Sequence, residues 1–176
     1  MVDTFTKNKT ARAELIKSID SRTNMYRFAW NQVFRQIKVN VLDPKLRNTT
    51  FVYGQYPQEL IGDESDSNTE TIRRMYPLII VQNPTISDWD NKTLDYETTQ
   101  FSVNINVEIF SERNDYLDRL SDDVLFVLYN NVQTNASAGM HNMKIVNDSY
   151  QQYERGGLNI HNRLFTVRFD ITKTTA

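Results

Sequence analysis

The residues able to do chemistry in this chain are few, and none stands at a spacing that defines a reaction. The two histidines, His141 and His161, sit among asparagines and lack the ligand spacing of a zinc motif. Cysteine is absent, which excludes disulfides, thiolate metal sites and cysteine nucleophiles. Two acidic runs, Asp63-Glu64-Ser65-Asp66 and Asp88-Trp89-Asp90-Asn91, offer oxygen ligands. Neither carries the glycine and distal glutamate that fold an EF-hand loop around calcium, and both read as solvated loops. There is no glycine-rich phosphate loop, dinucleotide fingerprint or nucleophile elbow, the motifs that would announce nucleotide or acyl chemistry. Carboxylates are plentiful, but no pair is set apart for acid–base work. The expectation is a protein that is not an enzyme and holds no cofactor or metal.

Charge is the more informative chemistry. The net charge is only −2, yet residues 1–60 carry an excess of five positive charges, residues 61–123 an excess of nine negative ones, and the remainder a small positive excess. Such segregation suits opposite poles that meet between neighbouring molecules. Arg27, Arg35 and Lys38 recur along one side of a predicted helix and raise the possibility of phosphate contacts. The pI of about 5.7 and the acidic middle argue against a dedicated DNA binder, whose affinity comes from many such contacts.

The elements that must position these residues can be read from periodicity. At 176 residues the chain suits one hydrophobic core. Residues 1–10 are polar and read as a flexible N-terminus, followed by a helical pattern from Thr10. Tyr26, Ala29, Trp30, Val33, Phe34, Ile37 and Val41 fall on one arc of a helix over 24–41, which Asp43-Pro44 ends. Phe51-Val52-Tyr53 predicts a short strand, and Tyr76 to Val81 a strongly buried one. Phe101 to Phe110 alternates apolar and polar residues over its whole length. Leu117, Leu120, Val124, Val127 and Leu128 share a face of a helix over 115–132, with Ser111 or Asn114 as its cap. Residues 133–142 read as a loop, 144–150 as a strand, Gly156-Gly157 as a turn and 164–172 as a final alternating strand. Segments 42–75 and 83–100 read as long loops. The fold class is therefore α+β: a single domain over 1–176, with an antiparallel or mixed four- to five-stranded sheet and helices packed on one face.

Several apolar residues fall outside the apolar arcs of their helices. Single exposed apolar residues are normal, and a larger core would absorb them, but together they point to partner contacts. Phe126 lies within the polar arc of the third helix, and Phe28 and Val39 lie outside the apolar arc of the second. The aperiodic 83–100 segment carries Trp89, Leu94 and Tyr96 beside Asp88 and Asp90, and long aperiodic loops tend to be functional. An assembly interface is expected from Arg27, Phe28, Arg35, Lys38, Asp88, Trp89, Asp90, Leu94, Tyr96 and Phe126, with aromatic burial supplying affinity and charge setting orientation. No run approaches the roughly eighteen apolar residues of a membrane span.

The order of elements resembles the tail-terminator and head–tail joining (tail completion) proteins of tailed bacteriophages. The resemblance rests on Tyr76-Pro77-Leu78-Ile79-Ile80-Val81, the strand Phe101 to Phe110 running into Ser111-Glu112-Arg113-Asn114, the helix from Tyr116, and the strand Phe165-Thr166-Val167-Arg168-Phe169. It covers about residues 70–172. It implies a small α+β subunit of the virion, assembled in the host cytoplasm into a homo-oligomeric ring, commonly a hexamer, at the head-proximal end of the tail. Such a ring stops tail-tube growth and docks to neck and head-closure proteins, while genome DNA passes through its channel without specific binding. Other tail, baseplate or neck positions remain open, as does a nucleic-acid-binding accessory role using the Arg27–Lys38 stripe.

Overall fold

A computed structural model describes residues 27–57, 69–91 and 98–174. The expected flexible terminus, the first helix and the 62–68 acidic stretch lie outside these residues. The first described element is helix α1 (27–40). It is followed by β1 (Val52–Tyr53), α2 (Thr69–Met75), β2 (Leu78–Val81), β3 (Thr85–Asn91), β4 (Thr98–Ser111), α3 (Asn114–Asn130), α4 (Val132–Ser137), β5 (Met140–Arg155) and β6 (Leu158–Thr174).

The strands form one six-stranded mixed sheet of order β1-β2-β4-β6-β5, with β3 also pairing β4. The fold is α+β, with one strand more than the sequence predicts. β4 is the axis. It pairs antiparallel with β6 from Thr98↔Thr174 to Ser111↔His161, and its other side is shared by β2 at one end and β3 at the other. The alternation of β4 is realised: Phe101, Val103, Ile105, Val107 and Ile109 are buried with Ala29, Val33 and Ile37 of α1 and Leu117, Leu120 and Val124 of α3.

β2 has no polar side because both of its faces are covered. Ile79 and Val81 belong to the main core, whereas Leu78 and Ile80 join Tyr76, Phe110 and Ile160 in a second cluster. The sequence over-simplified four places. The 83–100 segment is not a loop throughout, because Thr85–Asn91 forms β3. The 42–75 segment, besides the predicted strand that forms β1, ends in a helix, α2. Residues 133–142 hold α4 and the start of β5, and both closing strands are longer than expected. Neither expected cap serves α3: its N-cap is Arg113, with no side-chain cap bond, while Ser111 Oγ accepts from the Arg113 amide at 3.1 Å.

Two turns explain themselves. Gly139 (φ 86) follows α4 in the left-handed conformation that ends helices. Gly156 and Gly157, both at positive φ, connect Arg155 to its partner Leu158, the two-residue arrangement that matches strand twist in a hairpin.

Candidate assembly surface

Helix α1 is fixed rigidly, which determines what it can present. Its inner residues Ala29, Val33, Ile37 and Val41 are buried. Trp30 donates Nε1–H to the Val81 carbonyl at 2.9 Å and stacks on Phe34 at 4.8 Å. On its flank, buried Gln36 donates to Asn135 Oδ1 of α4 at 2.7 Å. The outer side carries Arg27, Arg35 and Lys38, all exposed, with Phe28 at 41% and Val39 at 68% exposure. Lys38 Nζ lies 5.5 Å over the Phe34 ring and borders a groove of about 310 Å³ with Arg47 and the 48–52 segment along β1.

Helix α3 is fixed by Leu117, Leu120, Ser121, Val124, Val127 and Leu128. Outward it shows Asp118, Asp122, Phe126 (68% exposed) and Tyr129. Asp118 borders a cleft of about 430 Å³ with Asn114, Leu117, Asp148, Tyr150 and Arg163. Within that cleft Arg163 clasps Asp148 through two bonds, of 3.0 and 2.9 Å. The clasp holds the Asp148 carboxyl below its ordinary range and raises the guanidinium. Beside it, Tyr150 Oη and His161 Nδ1 lie 2.6 Å apart with stacked rings.

Away from the Tyr76 cluster, the polar side of the sheet carries two runs of hydrogen-bonded side chains, with Asn104 Oδ1 between them buried and without a partner. Gln82 Nε2 donates to Glu108, Asn106 Nδ2 to Gln82 Oε1 at 3.1 Å, and Thr166 Oγ1 to Asn106 Oδ1 at 2.8 Å. Further along, Ser102 Oγ and Asn142 Nδ2 both donate to Asp170, at 2.7 and 3.0 Å. Burial pushes the Glu108 carboxyl up, opposed by the amides of Asn162 and Gln82. Burial would also raise Asp170, but Ser102 and Asn142, with Arg168 nearby, hold it down. At the far end, Tyr56, Tyr76 and Arg155 link through 3.0 and 2.9 Å contacts; burial raises Tyr76 and Tyr153 well above the ordinary phenol range.

Of the expected interface, the structure places Arg27, Phe28, Arg35, Lys38 and Phe126 on exposed helix faces. Asp88 is exposed as well, with its carboxylate paired within the chain to Arg168. Trp89 and Asp90 belong to β3 by backbone, and Leu94 and Tyr96 lie outside the described residues. The sequence missed Tyr129, although it stands three residues after Phe126, the offset that brings two side chains onto one helix face. It also missed the bonded runs, because alternate Ser, Asn and Glu predict a wet face without saying which side chains bond one another.

Among the described residues no three His, Asp or Glu side chains gather as a metal site, and no helix is long and apolar enough to cross a membrane. No protein-family profile and no curated protein matches the chain.

Proposed function

We propose that the chain is a structural virion subunit of the tail-terminator type. In this reading copies form a ring, sixfold by the resemblance, at the head-proximal end of a phage tail. The ring ends growth of the tail tube and docks the tail to neck and head-closure proteins. The observation that supports it most is the two-sided character of the sheet. One side is an apolar core capped by α1 and α3. The other, beyond the apolar Tyr76 cluster at its β2 end, presents Ser, Asn, Gln and Thr side chains bonded to one another or to Asp170.

A wall of that kind, arrayed around a channel, is hydrated and offers DNA little to hold. Of its guanidiniums, Arg168 is engaged by Asp88 and Ser102 and Arg155 by Tyr56, which leaves little of the counterion release that drives phosphate binding. DNA would pass without being retained.

The test is sedimentation velocity and negative-stain electron microscopy of the purified chain at low ionic strength, with immunogold labelling of tails where the particle is available. Closed rings, and label at the head-proximal tail end, are expected. A monomer at every concentration reached, or label elsewhere, overturns the reading. The exposed stripe Arg27, Arg35 and Lys38 favours a second reading, a nucleic-acid-binding accessory protein. Salt-dependent binding of random duplex DNA by the monomer would support that alternative.

A further inference from the structure

The two outward helix stripes look toward opposite lateral sides of the sheet, although α3 itself sits over its middle strands. α1 lies over the β1–β2 end: Trp30 bonds Val81 of β2, and its ring faces Gly54, one residue beyond β1. α3 lies over β4 and β6, and its Asp118 borders the cleft that reaches Asp148 and Tyr150 of β5. Gln36 marks the flank of α1 that faces α4. Arg27 and Lys38 project on the flank opposite to Gln36, half a helical turn away.

The stripes match in length, order and sign. Arg27 to Lys38 and Asp118 to Tyr129 are each eleven residues apart, about 16 Å of helix. Laid antiparallel, Lys38 meets Asp118, Arg35 meets Asp122, and Phe28 meets Tyr129 beside Phe126. Among the described residues Arg35, Lys38, Asp118 and Asp122 make no ion pair within the chain. Asp115, by contrast, is already held by Arg113. Lys38 lies over the Phe34 ring and the two aspartates act at a distance on Arg163. None of the four apposed charges has an ion-pair partner of its own among the described residues, and three aromatics beside them are exposed.

We propose that the basic–aromatic stripe of α1 docks antiparallel on the acidic–aromatic stripe of α3 in the next copy of this chain. The contact is heterologous: each copy offers the α1 stripe on one side and the α3 stripe on the other, so repetition closes into a ring when the rotation allows. Aromatic burial supplies the attraction, and the charges fix which end meets which. This rests on the ring reading above and names its subunit contact.

A charge-swap experiment tests it in full-length protein. One variant carries Arg35→Glu and Lys38→Glu, the other Asp118→Lys and Asp122→Lys. Sedimentation velocity at low salt reads assembly, and thermal melting reads the fold. Each variant alone is expected to sediment as a folded monomer, with some loss of melting temperature in the α3 variant because Asp118 and Asp122 act on Arg163. An equimolar mixture is expected to regain assembly with the two variants alternating, because every contact in it again joins opposite charges. Neutral pairs, Arg35→Gln with Lys38→Gln and Asp118→Asn with Asp122→Asn, replace any reversal that fails to fold and are expected to lose assembly in the same way. Assembly of either variant like the parent, or a mixture that stays monomeric, overturns the contact while leaving the ring reading intact. An effect confined to the α1 variant assigns that stripe to another partner and equally overturns it. A parent chain that never assembles removes the ring reading itself.

Discussion

Arg47 closes on Asp43, four residues earlier, through two bonds, Nε to Oδ2 at 2.6 Å and Nη2 to Oδ1 at 3.1 Å. The same guanidinium donates to the carbonyls of Arg74, Met75 and Pro77 at 2.8, 2.8 and 2.6 Å. One side chain thus ties the exit of α1 to the entry of β2. Lys45 reinforces the tie by reaching Glu112 at 2.8 Å. Removing Arg47 would leave a carboxylate that is 7% exposed and three carbonyls without their donor. Arg47→Ala is expected to destabilise the fold by about 3 kcal/mol, and Arg47→Lys nearly as much, since an ammonium cannot reproduce the fork. Urea unfolding measures both.

The Asp43 carboxyl is subject to burial, which raises it, but bonds from Arg47 and Lys45 prevail and hold it below its ordinary range. A carboxyl lowered in the folded state contributes stability that is present above the unfolded value and lost as pH falls through the folded one. The parent chain should therefore lose stability on acidification faster than Arg47→Ala, with the two melting curves converging in acid.

Glu108 has the opposite sign. Its folded carboxyl is raised by burial, so the folded chain binds this proton more tightly and stability falls as pH rises above the ordinary carboxyl range. Nearby, Asn162 Oδ1 is buried without a partner. Glu108→Gln removes the buried charge and brings an amide donor beside that oxygen. The melting temperature at neutral pH is expected to rise, with the gain shrinking as pH is lowered; a fall at neutral pH would show that the ionised carboxylate is the better partner.

Gly54 is where the α1 indole meets the β1 end of the sheet. A methyl there would lie 2.7 Å from Trp30 Cζ2, a distance that requires the ring or the backbone to move. Gly54→Ala is expected to cost about 1–3 kcal/mol through overpacking. The Trp30 fluorescence shift should change with it.

Phe126 tests surface against core. At 68% exposure it contributes little to the isolated fold, so Phe126→Ser should leave unfolding within about 0.5 kcal/mol of the parent. Self-association should weaken, as expected of an aromatic anchor at an interface.

What the sequence disclosed follows from how regular each element is. β4 was legible because its inner residues alternate without interruption, and α1 and α3 because one arc of each is continuously apolar. β3 was hidden by its own irregularity. Asp88 adopts φ 52 and the register slips between Ser87 and Asp90, which breaks the alternation that marks a strand. β5 was truncated in the reading for the same reason, with slips between His141 and Lys144 and between Ile145 and Asn147. α4 has no apolar arc at all; its buried residue is Asn135, held by Gln36, a partner ninety-nine positions away. On the surface, exposed aromatics were legible from helical phase. The pairing of Asp88 with Arg168 was not, because no local pattern announces a contact between residues eighty positions apart.

The pairing of β4 with β6 also governs how the chain reaches this fold. The two strands meet from Thr98↔Thr174 to Ser111↔His161, so the central strand is completed only by residues that are synthesised fifty or more positions later. Non-local pairing of this kind slows folding, because loop closure precedes any reward. Until β6 arrives, the apolar side of β4 has an open edge beside it, the condition under which nascent chains adhere to one another. The growing polypeptide is thus most vulnerable just before β6 is made, and a chaperone that shields it during that interval would determine how much of the chain reaches its native fold.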